Sequence, residues 1–93
     1  MRGATLTLAF RKFEERTRDS AAHAAQMTAR AKTPDQWRAA DREWRRVRQL
    51  ARETGKIAEQ SENEVLQRQW ATLLNDIDAK QASALGTQNT LQK

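Results

Sequence analysis

The 93-residue sequence has no cysteine, one proline and three glycines, and no long apolar run. Without cysteine, neither a disulfide framework nor a thiolate metal site can form. No window approaches the roughly 18 consecutive apolar residues of a transmembrane helix. The N-terminal apolar run is followed at once by Arg11 and Lys12 without a small-residue cleavage pattern, so no secretory signal peptide is indicated. These absences predict a cytoplasmic protein without a membrane span.

Catalytic motifs are also absent. The sequence has no glycine-rich phosphate loop, no HExxH motif and no serine nucleophile with a recognisable base. The only histidine, His23, falls on the polar side of its helical pattern, and the neighbouring acidic pairs Glu14/Glu15 and Asp76/Asp78 diverge around a helix. We therefore predict a protein that is not an enzyme and that holds no metal and no cofactor.

The clearest element is a helix from residue 34 to 54. Thr33, Pro34 and Gln36 form a helix start, with a capping hydroxyl, a proline at the first helical position and a capping-box glutamine. Gly55 is the predicted stop. Apolar residues recur between them at spacings of three and four, which places them on one buried side of the helix. These residues are Trp37, Ala40, Trp44, Val47 and Ala51.

The other side of this helix carries six arginines, which we call the arginine face. They are Arg38, Arg42, Arg45, Arg46, Arg48 and Arg52. A guanidinium group has a planar fork that suits phosphate and carboxylate. The first-choice function is therefore a small helical binding module that contacts the phosphate backbone of nucleic acid. Base-specific recognition is not indicated.

Three other interpretations of the arginine face stay open. It could be a solvated surface without a ligand, helped by an Asp41–Arg45 pair at i,i+4, or reflect a compositional bias toward arginine. It could dock on an acidic protein partner, which would make the protein an oligomeric adaptor or chaperone-like module. The charge distribution allows this, because residues 1–32 and 33–56 carry +4 and +3 whereas residues 57–93 carry −2. A membrane-surface role is the least favoured.

A second helical pattern precedes this helix and a third follows it. The first has a coiled-coil-like seam of Phe10, Phe13, Thr17, Ser20, Ala24, Met27 and Ala31. Its small side chains allow close approach of another helix, including one from a second copy, so we predict a homodimer. In the third, Ser61 and Glu64 form a predicted capping box ahead of an apolar face that includes Leu66, Trp70 and Ile77.

Together these patterns predict an all-α protein, an antiparallel three-helix bundle with helices at about 8–32, 34–54 and 61–85, assembled as a dimer. Residues 1–85 form one domain, in which 1–7 are a flexible or short extended arm, and 86–93 are a disordered tail. The residues predicted for the core and for self-association are Phe10, Phe13, Trp37, Trp44 and Trp70.

One minor alternative concerns the N-terminus. Residues 4–10 alternate apolar side chains with threonine, as a short strand does. A strand ahead of helices resembles the ribbon-helix-helix DNA-binding architecture, which implies paired strands that read the major groove. The uninterrupted pattern from Phe10 to Lys32 instead favours one long helix.

Overall fold

A computed structural model describes the backbone of residues 2–91 and the side chains of residues 4–87. It contains three helices, α1 (Arg2–Arg30), α2 (Pro34–Ser61) and α3 (Glu64–Leu91). Phe10 near the start of α1 packs with Ala58 at the end of α2 and Leu66 at the start of α3. Consecutive helices therefore run in opposite directions, which confirms the all-α, antiparallel three-helix bundle.

The N-terminal segment is helical. Residues 4–10 belong to α1, so the predicted strand, and with it the ribbon-helix-helix alternative, is wrong. The predicted extended arm is also replaced by helix from Arg2, and Met1 lies outside the described residues. Phe10 is fully buried and Leu6 is half-buried one turn earlier. The helix thus satisfies its own backbone hydrogen bonds while it places an apolar stripe against the bundle.

α2 begins as predicted but does not end as predicted. Thr33 Oγ1 accepts a hydrogen bond from Gln36 N at 3.2 Å, and Gln36 Oε1 accepts one from Thr33 N at 3.3 Å, which is the predicted capping box. The helix continues through Gly55 to Ser61 and ends at Glu62, which has a left-handed φ of 53°. Gly55 is a buried packing position instead of a stop.

α3 begins with a different cap from the predicted one. Asn63 Oδ1 accepts a hydrogen bond from Val65 N at 2.9 Å, whereas Ser61 belongs to α2 and donates its hydroxyl to Ala58 O at 2.6 Å. The predicted Ser61 capping box is therefore wrong. α3 runs through Gly86 to Leu91 in place of the predicted disordered tail, and residues 92 and 93 lie outside the described residues.

The core is built mainly from small side chains on α1 and larger ones on α2 and α3. The main cluster contains Ala21, Ala24, Trp44, Val47, Ala51, Leu73 and Ile77. The small-residue seam of α1 is therefore covered by helices of the same chain. Because that seam was the main reason to expect a second copy, the homodimer stays a prediction that this packing does not support. A mass measurement at about 100 μM tests it.

Three buried threonines lie between the helices, and every buried side-chain polar atom among the described residues has a hydrogen-bond partner. Trp44 Nε1 donates to Thr28 Oγ1 at 2.7 Å, and Thr28 Oγ1 donates to Ala24 O at 2.8 Å. The Thr17 and Thr54 hydroxyls lie 3.4 Å apart, and each lies within hydrogen-bonding distance of a carbonyl of its own helix. The contact between α1 and α2 thus has polar threonine side chains at three positions, and α1 contributes mainly small side chains elsewhere.

Candidate nucleic-acid interface

All six members of the arginine face are exposed in the structure. Four of them, Arg42, Arg45, Arg46 and Arg52, take part in no ion pair within the part of the chain that the structure describes. Their positive charge is therefore not neutralised by a carboxylate of the fold. A guanidinium group in this state can neutralise a phosphate, which releases counterions from the nucleic acid.

The other two arginines have partners. Arg38 pairs with Asp35 one turn earlier on α2. Arg48 reaches across to α3, where it donates to Gln81 Oε1 at 2.8 Å and lies 4.0 Å from Asp78. The predicted ion pair between Asp41 and Arg45 does not form in the described structure. Arg48 therefore contributes to the contact between α2 and α3 as well as to the arginine face.

The basic surface extends further than the sequence analysis predicted. Because α2 continues past Gly55, Lys56 lies one turn beyond Arg52 on the same side of the helix. Lys56 is exposed and lies 3.6 Å from Glu53. A shallow furrow of about 400 Å³ runs along this part of α2. It is lined by Arg45, Arg48, Gln49, Arg52, Glu53 and Lys56.

Next to this furrow, residues of α2 and α3 line a surface groove of about 640 Å³, which we call the α2–α3 groove. Its lining residues are Arg52, Gly55, Lys56, Ala58, Glu59, Gln67, Trp70 and Ala71. Arg52 and Lys56 line both the furrow and the groove. The arginine face and the α2–α3 groove are therefore one continuous surface.

Trp70 is the aromatic residue of this surface. It is only partly buried, and its Nε1 donates to Ala51 O of α2 at 2.8 Å. Trp70 also lines a hollow of about 150 Å³, together with Arg48 and Asp78. The indole is thus held by its hydrogen bond at a position where it lines both the groove and the hollow. The sequence pattern predicted Trp70 in the core, and Trp70 packs against both clusters of buried residues while part of its ring stays exposed.

The remaining predicted aromatic residues separate into two groups. Phe10 and Trp44 are buried, as predicted for the core. Phe13 and Trp37 are half-buried, and the Arg16 guanidinium lies 5.8 Å from the centre of the Phe13 ring. Trp37 belongs to neither cluster of buried residues. The three tryptophans therefore do not share one interior.

The remaining titratable residues form no metal-binding group among the described residues. The exposed His23 has its Nδ1 3.7 Å from Glu43 Oε1. The searched part of the chain contains no group of three histidine, aspartate or glutamate side chains placed to hold a metal ion. Within the same residues, no helix has the length and apolarity to span a bilayer.

No known protein-family model matches the sequence, and comparisons with curated proteins and solved structures likewise give no significant match.

Proposed function

We propose that the protein binds nucleic acid through phosphate contacts made by the arginine face. The observation that carries this proposal is the set of four exposed arginines, Arg42, Arg45, Arg46 and Arg52, that no carboxylate of the described fold neutralises. On a helix surface, an acidic residue three or four positions away can pair with an arginine, as Asp35 does with Arg38. The four arginines without such a partner keep their charge available for an external anion.

The spacing of the arginines suits an extended polyanion. At 1.5 Å per residue, Arg38 and Arg52 lie roughly 21 Å apart along α2. One strand of B-form DNA presents roughly six phosphates over that distance. Contacts of this kind fix the position of the ligand and carry no sequence information. The proposed binding is therefore independent of base sequence.

A salt titration with labelled duplex DNA and duplex RNA tests the proposal. If four arginines each neutralise one phosphate, the plot of log K against log salt concentration has a slope of about −3 to −4 for duplex DNA. Affinity is expected to be similar for unrelated sequences of equal length. Absence of binding to any nucleic acid at about 50 mM salt, where phosphate contacts are strongest, would overturn the proposal.

A second candidate function is docking on an acidic protein, as an adaptor does. The observation that favours it is the pairing of basic and acidic helices inside the bundle, where Arg18 contacts Asp76 at 2.9 Å. An acidic partner could engage the arginine face in the same way. In that case salt would change mainly the association rate with the protein partner, and nucleic acid would bind weakly from the outset.

A further inference from the structure

The α2–α3 groove combines three features beside the arginine face. It is mainly apolar, it presents the partly exposed ring of Trp70, and two of its lining residues, Arg52 and Lys56, also line the basic furrow. Its volume of about 640 Å³ falls within the range of about 300–1,000 Å³ that is usual for small-molecule sites. A flat aromatic group attached to an anion would match this combination.

We propose that the α2–α3 groove binds an unstacked base of single-stranded nucleic acid, with the adjoining phosphates on Arg45, Arg52 and Lys56. This inference rests on the proposed function and specifies which form of nucleic acid the surface prefers. Proteins that bind single strands combine a basic track for the backbone with an aromatic side chain for the base. Here the basic track and the aromatic ring lie on adjacent parts of one surface.

Trp70 is fixed before any ligand binds. Its Nε1 is held by Ala51 O, and its ring lies against Gly55, where there is no side chain to push it out. A ring already held in place loses little conformational freedom when a base packs on it, and such preorganisation favours binding. The structure thus provides an aromatic surface that loses little further conformational freedom when a base binds.

The position of the ring selects a single strand. A duplex presents phosphates on its outside and keeps its base faces stacked inside, so only an unpaired base could enter a groove between two helices. Three carboxylates also line this region, Glu59 in the groove, Asp78 in the adjoining hollow and Glu53 in the furrow, where it lies 3.6 Å from Lys56. Glu59 and Asp78 repel phosphates, which leaves the groove for the uncharged base and the phosphates for the arginines of the furrow.

Tryptophan fluorescence tests the contact directly. The variant Trp37→Phe removes the other partly exposed tryptophan, and Trp44, only 4% exposed, is too buried to touch a ligand. In this variant, oligothymidylate of about 12 nucleotides is expected to quench the emission of Trp70. It is also expected to bind at least about fivefold more tightly than a duplex of the same length at equal salt. Unchanged emission together with equal affinity for both forms would overturn the inference.

Two charge-matched variants on α3 locate the site. Ala71 is exposed and lines the groove, whereas its exposed neighbour Thr72 is not among the lining residues. Ala71→Glu is expected to weaken single-strand binding about tenfold, and Thr72→Glu, with the same added charge, less than about threefold. Equal effects of the two variants would contradict a base in the groove. Circular dichroism melting checks that both fold, and the fluorescence test does not depend on either.

The two proposals fail in different ways. If neither single-stranded nor duplex nucleic acid binds at about 50 mM salt, the proposed function itself is wrong. If both forms bind equally, with a salt slope that reports phosphate contacts but no change in Trp70 emission, only the groove inference is wrong.

Discussion

The indole ring of Trp70 lies directly against the backbone of Gly55. A Cβ atom added at residue 55 would lie 2.5 Å from Trp70 Cε2 and 2.6 Å from Cζ2, far inside van der Waals contact. Moving the ring away from this contact would break the hydrogen bond from its Nε1 to Ala51 O. Close packing between α2 and α3 therefore favours glycine at residue 55.

We predict that Gly55→Ala destabilises the protein although alanine is the better helix former. The helix-propensity gain is about 1 kcal/mol, whereas overpacking a fitted site costs about 1–3 kcal/mol. The displaced indole would also lose its hydrogen bond, which is worth about 1 kcal/mol. The free energy of unfolding, measured by urea denaturation, should therefore fall by about 1–3 kcal/mol.

Gly86→Ala is the matched control. Gly86 also lies in a helix, but an added Cβ meets no atom within 4 Å. This variant should therefore show the propensity gain alone and raise the free energy of unfolding by up to about 1 kcal/mol. If both alanine variants were stabilising, the contact between Gly55 and Trp70 would not exist in solution.

The second prediction concerns the buried hydrogen bond from Trp44 to Thr28. Thr28→Val keeps the shape of the side chain but leaves the indole N–H without an acceptor in a buried position. An unsatisfied buried donor costs about 1–3 kcal/mol. Thermal and urea unfolding should both show that the free energy of unfolding falls by this amount.

Two further variants separate this hydrogen bond from packing. Thr28→Ser retains the hydrogen-bond acceptor and removes only a methyl group. Its free energy of unfolding should therefore fall less than that of Thr28→Val. In the Trp44→Phe background the N–H is gone, so Thr28→Val should cost less than about 0.5 kcal/mol. Additive losses in the double variant would show that the two residues are not coupled.

The third prediction distinguishes the observed start of α3 from the one that the sequence pattern suggested. Asn63→Ala removes the acceptor for Val65 N and should cost about 0.5–2 kcal/mol, as loss of an N-cap does. Ser61→Ala removes a hydroxyl that donates to Ala58 O and accepts from the exposed Asn63 N at 3.2 Å. It should cost less, because Val65 N at the start of α3 keeps its acceptor on Asn63. If urea unfolding showed a larger loss of unfolding free energy for Ser61→Ala than for Asn63→Ala, the capping box at residue 61 would be correct after all.

The fourth prediction tests the arginine face. Arg42→Gln combined with Arg45→Gln should change the free energy of unfolding by less than about 0.5 kcal/mol, because both side chains are exposed and have no ion pair. Duplex affinity should fall to a similar extent on unrelated sequences. The slope of log K against log salt should become shallower by about two, one unit per lost phosphate contact.

A second double variant controls for net charge. Arg11 and Arg30 are exposed on α1 and have no ion pair in the described structure. Changing both to glutamine removes the same charge from another helix, so the salt slope should stay within about half a unit of the wild type. An equal change for both double variants would mean that binding depends on net charge and not on the arginine face.

Much of this fold follows from local sequence alone. Thr33, Pro34 and Gln36 determine where α2 begins, because a cap uses hydrogen-bonding groups within four residues of chain. The alternation of apolar and charged residues along α2 likewise determines which side is buried and which carries the arginines. Helix periodicity is a local property, so it is readable without the partner helices.

The helix ends and the details of the surface were decided by tertiary structure. A glycine and a serine are ordinary helix boundaries, but α2 passes Gly55, which is a buried position against Trp70, fifteen residues later in the chain. That continuation brings Lys56 onto the basic surface. The space between α2 and α3 that forms the groove depends on the relative position of two helices, which no local pattern encodes. The sequence by itself therefore determined the helices and the arginine face, whereas only packing between distant residues decided where α2 stops and which aromatic ring lies beside its arginines.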